Sequence, residues 1–239
     1  MTSPARVSVL MSGGFAGAYD QLLPEFERTS GIKVTTGSGA SQGDGPHTIA
    51  AQLARGVTAD VVIMSREGLA ELVDADRIAA GTIVDLARVP LGIAVRTGSA
   101  KPDVSSVEAF KRALLEAGTI AVPGSTSGIW LVAELFPRLG LADKLDVTMT
   151  PRGSDASGMV AAGDADLAVM PVSEILAAKG VDLAGTLAPE IQMVQVFAAA
   201  IVAGSQTVEA SRRLIAFLAS PGAAETIGRS GMEPVAASR

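Results

Sequence analysis

Ala59-Asp60-Val61-Val62-Ile63-Met64 is a short, nearly continuous apolar run, and a helix pattern over 67–73 follows it. Such a run marks a strand buried on both faces. Upstream, Val7-Ser8-Val9-Leu10-Met11 reads as a second strand, leading through Ser12-Gly13-Gly14 into a helix over about 15–28. There Phe15, Tyr19, Leu22, Leu23 and Phe26 recur at helical spacing, and Gly31 is placed to close the helix. Lys33-Val34-Thr35-Thr36 is a short strand, followed by a Gly/Ser-rich loop over 37–46 and a helix over about 48–55. Strand–helix–strand order with apolar strands predicts an α/β fold with a mostly parallel sheet covered on both faces.

Downstream, 83–88 and 91–95 read as paired strands near a change of direction. A turn over 102–106 caps a helix over 107–117, and 119–122 is a strand. Pro123-Gly124-Ser125-Thr126-Ser127-Gly128 leads into a helix over about 129–139. Strands over 167–170 and 194–202, a short helix over 172–179, a helix over 208–219 and a last helix opening at Ser220-Pro221-Gly222 complete the pattern.

Composition removes several function classes. The 239 residues are 48% hydrophobic and 18% charged, which excludes a disordered chain. Lys and Arg number 19 against 25 Asp and Glu, a net charge of -6, so no basic footprint exists for nucleic acid. With no cysteine and a single histidine, His47, thiolate and multi-histidine metal sites are excluded, and no metal or cofactor is expected. Aromatic residues at 3% make poor stacking platforms. The longest charge-free apolar window, 191–208, carries Gln residues and a Gly-Ser pair and reads as a strand plus turn rather than a membrane span. The start, Met1 to Arg6, lacks a secretory pattern, which predicts a cytoplasmic chain as written and a periplasmic one if a leader has been removed.

Three strands run into loops of small polar residues that open helices: Ser12-Gly13-Gly14, the loop over 37–45, and the loop over 124–128. A helix start presents unpaired N–H groups and a partial positive charge, so such loops gathered at strand carboxyl ends form an anion site. None has the phosphate-loop or dinucleotide pattern, which disfavours nucleotides. The candidate ligand residues are Ser12, Gly13, Gly14, Ser41, Gln42, Arg66, Ser125, Ser127, Gly128, Gly153 and Ser154. His47 is the candidate general base, having the one side chain with an ordinary pKa near neutrality.

The stretches Val9-Leu10-Met11-Ser12-Gly13-Gly14-Phe15, Phe26-Glu27-Arg28-Thr29-Ser30-Gly31, Thr58 to Met64, Pro90-Leu91-Gly92-Ile93-Ala94-Val95, Ser125-Thr126-Ser127-Gly128 and Leu218 to Ala224 together resemble the type II periplasmic binding proteins, most of all their molybdate-binding branch. The resemblance implies two Rossmann-like α/β domains, 1–88 plus 196–239 and 89–195, joined by two crossovers, with hinges near 88–90 and 195–198 and the ligand clamped in the cleft. By the same resemblance Ser41 matches the branch's second serine, Ser127 falls at its turn, and Gly153 or Ser154 falls at a backbone-donor position. Gly14 stands in the first serine's place, with Ser12 displaced by two, and Pro171 stands in the tyrosine's place, which argues against molybdate itself. The SGGF, ARVPLGIAVR and STSGIW stretches look closer to a subgroup similar to aconitate isomerase, a cofactor-free enzyme that moves a double bond in a tricarboxylate.

The leading expectation is a monomeric binding protein for a small polycarboxylate or oxyanion, partnered by an ABC-transporter permease if secreted. The alternative is a cofactor-independent isomerase on the same fold. A cytosolic ligand-sensing domain ranks last, because no helix-turn-helix or partner helix is evident.

Overall fold

The computed structural model describes residues 5–235, so the first four residues read for a leader lie outside it. In chain order the elements are β1 (Arg6–Met11), α1 (Gly13–Ser30), β2 (Lys33–Ser38), α2 (Ile49–Ala54), β3 (Val61–Ser65), α3 (Arg66–Asp74), β4 (Val84–Arg96), α4 (Val107–Glu116), β5 (Thr119–Pro123), α5 (Thr126–Trp130), α6 (Phe136–Arg138), β6 (Asp146–Thr150), α7 (Gly153–Ala162), β7 (Leu167–Pro171), α8 (Val172–Ala177), β8 (Val181–Thr186), β9 (Val194–Ile201), α9 (Val208–Leu218), α10 (Ala224–Arg229) and β10 (Glu233–Pro234). A π-helical turn, Leu131–Leu135, joins α5 to α6. The chain divides into two compact units: one ends at Arg88 and resumes at Val196, and the other is Val89–Gln195.

In the first unit β2, β1 and β3 lie parallel in that order, and β9 adds antiparallel to β3. All five residues of β3 are buried, as its unbroken apolar run requires. Val62 and Met64 pack with Leu10, Ile49, Leu53, Leu69 and Leu72, so one face of β3 is covered by α2 and α3. The helical spacing of Phe15, Tyr19, Leu22 and Phe26 puts all four in the core, and the Phe26 ring meets Phe217 with centroids 5.5 Å apart. Gly31 closes α1 at φ 71, in the left-handed region that glycine enters without a Cβ clash.

In the second unit β6, β5 and β7 are parallel, and β4 pairs antiparallel with β7 and β8. Strand alternation divides its core into two layers. Leu167 and Val169 join Ile93, Phe110, Ile120 and Leu135 on one side, whereas Ala168 and Met170 join Ala121, Ala156, Val160 and Ile175 on the other.

Two expectations need correction. The strands expected over 83–88 and 91–95 are one strand, β4, which runs straight through Pro90. Pro90 has no N–H to donate, and it falls between the residues registered on β10, which end at Arg88, and those registered on β7, which begin at Leu91. Strand β6, helix α7 and strand β8 were not expected. Helix α7 buries only Gly153, Ala156, Ser157 and Val160, small residues that carry almost no apolar periodicity.

Candidate functional site

Parallel strands place their carboxyl ends on one edge, and the first unit's candidate residues gather there. Ser12 follows β1 directly and is the N-cap of α1, with its N–H donating to the Ile63 carbonyl at 2.9 Å. Its backbone is extended, yet its side chain makes no capping bond. The residue is only 5% exposed, and its hydroxyl oxygen has no hydrogen-bond partner among the described residues. Leaving a buried hydroxyl unpaired costs about 1–3 kcal/mol, which an incoming acceptor recovers. The 18-residue α1 has no acidic side chain in its first turn to quench its positive end.

Gly13 is exposed at this opening, but Gly14 serves packing. A Cβ on Gly14 would lie 2.0 Å from Phe197 Cζ, so its missing side chain faces the core rather than a ligand. Ser41 is buried, and its hydroxyl oxygen accepts the Ser65 N–H at 2.9 Å, which leaves its own proton to donate elsewhere. Gln42 donates to Glu71 at 2.6 Å. Arg66 is exposed and spends its fork on Asp85, at 2.5 Å through Nε and 3.2 Å through Nη2. His47 is exposed in the turn before α2; its carbonyl accepts from Ala40 N–H and the Gln52 amide. Thr48, not His47, caps that helix.

The second unit repeats the arrangement at the carboxyl ends of β5, β6 and β7. Ser125 is the N-cap of α5, with Thr126, Ser127 and Gly128 buried behind it. A Cβ on Gly128 would lie 1.7 Å from the Pro123 carbonyl oxygen, so this glycine also serves close packing. Thr150 ties the β6 end together by donating to the Arg152 carbonyl at 2.8 Å. Helix α7 starts without a side-chain cap; Gly153 is buried and Ser154 exposed in its first turn. Arg152 and Asp155 pair with each other at 3.6 Å.

Glu174, in the first turn of α8, was missed by the sequence reading. A Cβ on Gly153 would lie 1.7 Å from Glu174 Oε2, so the carboxyl rests directly over the α7 start. Burial pushes its pKa up to about 7. Tyr19, the single tyrosine, is pushed up to about 12, chiefly by burial, and its hydroxyl bonds Thr36 at 2.8 Å. Gln195 was also missed, although a polar residue inside the apolar run over 194–202 was the available signal. It is 3% exposed, and its carboxamide oxygen has no partner among the described residues.

Among the described residues no group of three or more His, Cys, Asp or Glu could hold a metal ion, and no helix is long and apolar enough to cross a membrane.

The profile of the family described as bacterial extracellular solute-binding protein matches residues 7–233. An aconitate isomerase from Pseudomonas sp is 37% identical over 233 residues, covering 97% of this chain and 88% of that one. The periplasmic molybdate-binding protein of Azotobacter vinelandii superposes with a TM-score of 0.74 at 21% identity, covering 95% of this chain and 98% of the other. The sulfate-binding protein SubI of Mycobacterium tuberculosis H37Rv gives 0.78 at 20% identity, covering 97% and 87%. At such identities the two structures speak for the fold alone, which they share with this α/β chain.

Proposed function

Because the chain belongs to the bacterial extracellular solute-binding protein family, we propose that it takes a small anion, a polycarboxylate in preference to an inorganic oxyanion, on its helix starts. The observation that carries this is the buried, unpartnered Ser12 hydroxyl at the uncapped start of α1. A carboxylate oxygen there would accept from the hydroxyl and from first-turn amides together. Ser41 and the Gly13 amide join Ser12 as donors in the first unit, and Ser127 with the amides of Gly153 and Ser154 forms a corresponding donor set in the second. Arg66 and His47 stay outside both, the first because Asp85 occupies its fork.

A second reading, turnover, is favoured by the 37% identity to aconitate isomerase across 97% of the chain. In this reading the bound tricarboxylate has its double bond shifted, interconverting cis- and trans-aconitate. The family description supports a mature form outside the cytoplasm. A monomeric state and an ABC-transporter permease as partner belong to the binding reading. Thermal unfolding against sulfate, molybdate, citrate, trans-aconitate and neutral sugars tests the ligand class. At 100 times its dissociation constant the right ligand stabilises by about 2.7 kcal/mol. Stabilisation by sugars alone would defeat the anion reading. Chromatographic separation of the two aconitate isomers after incubation tests turnover.

A further inference from the structure

Within the turnover reading, on which this step rests, we infer that Glu174 is the catalytic residue that takes and returns the proton, in place of His47. The geometry is specific. Pro171 ends β7 and α8 begins at the next residue, so Glu174 leaves the carboxyl edge of the sheet within the first turn of its helix. Its Oε2 occupies the space a side chain at 153 would need, directly over the α7 start. A carboxylate held on the amides of that first turn therefore lies beside the Glu174 carboxyl. The charged residues that flank Gly153 in sequence, Arg152 and Asp155, are committed to each other. His47 is exposed in a turn of the other unit.

A carboxylate that merely capped α7 would be held down in pKa by hydrogen bonds from the helix amides. Glu174 behaves in the opposite sense. Among the described residues no ion pair or hydrogen bond holds it, and burial raises its pKa to about 7. Near neutrality such a group is populated both as base and as acid, the condition under which one side chain serves both halves of a proton shift.

The step balances without a cofactor. Glu174 Oε2 removes a proton from the substrate methylene, breaking C–H and forming O–H. The released pair moves through the neighbouring double bond onto the far carboxylate, whose charge the amides and hydroxyls of the α5 and α7 starts stabilise. The protonated Glu174 then returns its proton to the far end of the three-carbon unit. A new C–H bond forms, the double bond lies one position along, and nothing is oxidised or reduced.

The experiment compares wild-type protein, Glu174→Gln, Glu174→Asp and His47→Gln for kcat and KM on trans-aconitate, with melting temperature and calorimetric binding of trans-aconitate alongside. Loss of general-base catalysis costs about 10²–10⁴ in rate. The expected result is a drop in kcat of at least about 100-fold in Glu174→Gln, with KM within about threefold, an unchanged melt and a smaller loss in Glu174→Asp. Glu174→Gln turning over at the wild-type rate overturns the assignment and leaves the turnover reading standing. Loss of kcat in His47→Gln with full turnover in Glu174→Gln does the same. Wild-type protein that binds trans-aconitate yet never converts it overturns the turnover reading, and Glu174 falls with it. Should Glu174→Gln fail to fold, Glu174→Asp decides: a fall in kcat of at least about tenfold at constant KM supports the assignment, and an unchanged kcat overturns it.

Discussion

The Ser41 hydroxyl accepts the Ser65 backbone N–H at 2.9 Å, tying the loop after β2 to the residue that opens α3. One hydroxyl thus holds two strand ends together, and in the proposed anion site its proton is the one offered to the ligand. Ser41→Ala should therefore cost twice. The buried Ser65 amide loses this partner, for about 1–3 kcal/mol of stability. The anion loses a charge-assisted donor, for about tenfold or more in affinity. Melting curves and calorimetry on the same preparation read both losses, and a variant with wild-type affinity removes Ser41 from the site.

Ser12→Ala should behave differently. An N-cap serine normally contributes about 1 kcal/mol through its side-chain bond, but Ser12 makes no such bond and its buried hydroxyl is unpartnered. The alanine variant is expected to melt at or slightly above the wild-type temperature while binding the anion about tenfold more weakly. A clear fall in melting temperature would mean that the hydroxyl is satisfied within the protein.

Two glycines in helices should answer alanine in opposite directions. At Gly128 the new methyl would lie 1.7 Å from a backbone carbonyl oxygen, at Pro123, which cannot rotate away. Gly128→Ala is expected to destabilise by about 1–3 kcal/mol despite the better helix propensity. At Gly158, exposed on α7, nothing lies within 4 Å of the new methyl. Gly158→Ala should stabilise by about 0.5–1 kcal/mol. Urea titrations of the two variants read the contrast.

What the sequence made legible divides along the same physical line. Ala59 to Met64, and the Phe15, Tyr19, Leu22 and Phe26 spacing, declare themselves because large apolar side chains repeat at the period of their element. The stretch Gly153-Ser154-Asp155-Ala156-Ser157-Gly158 hides a helix because what it buries is small. Gly14 and Gly128 read as openings for a ligand, whereas Phe197 and the Pro123 carbonyl explain them. Glu174 stands in no motif that the sequence displays. Its meaning depends on Gly153, a neighbour in space that local pattern does not pair with it. His47 drew attention through its intrinsic pKa, but a reactive station also needs surroundings, which composition does not supply.

Acid sensitivity should trace to Asp60. Burial pushes its pKa up, but hydrogen bonds more than offset this and the net shift is downward. Ser8 donates to Oδ2 through its N–H and its hydroxyl, each at 2.8 Å, and Ser205 donates to Oδ1 at 2.7 Å. These bonds join β1, the residue before β3 and the turn after β9. A carboxylate whose pKa is depressed on folding contributes stability above its unfolded value of 3.8, and that stability is lost as pH falls through the folded value. Asp60→Asn keeps one acceptor oxygen but turns an NH2 group toward donors. It should cost on the order of 1 kcal/mol at pH 7, at the low end for a charge that solvent partly screens. The gap between variant and wild type should narrow as pH falls below about 4, because protonation removes the same charge from the wild type. Denaturant midpoints measured from pH 7 to pH 2.5 test this; a gap that stays constant or widens in acid would assign the loss to packing rather than to the Asp60 charge.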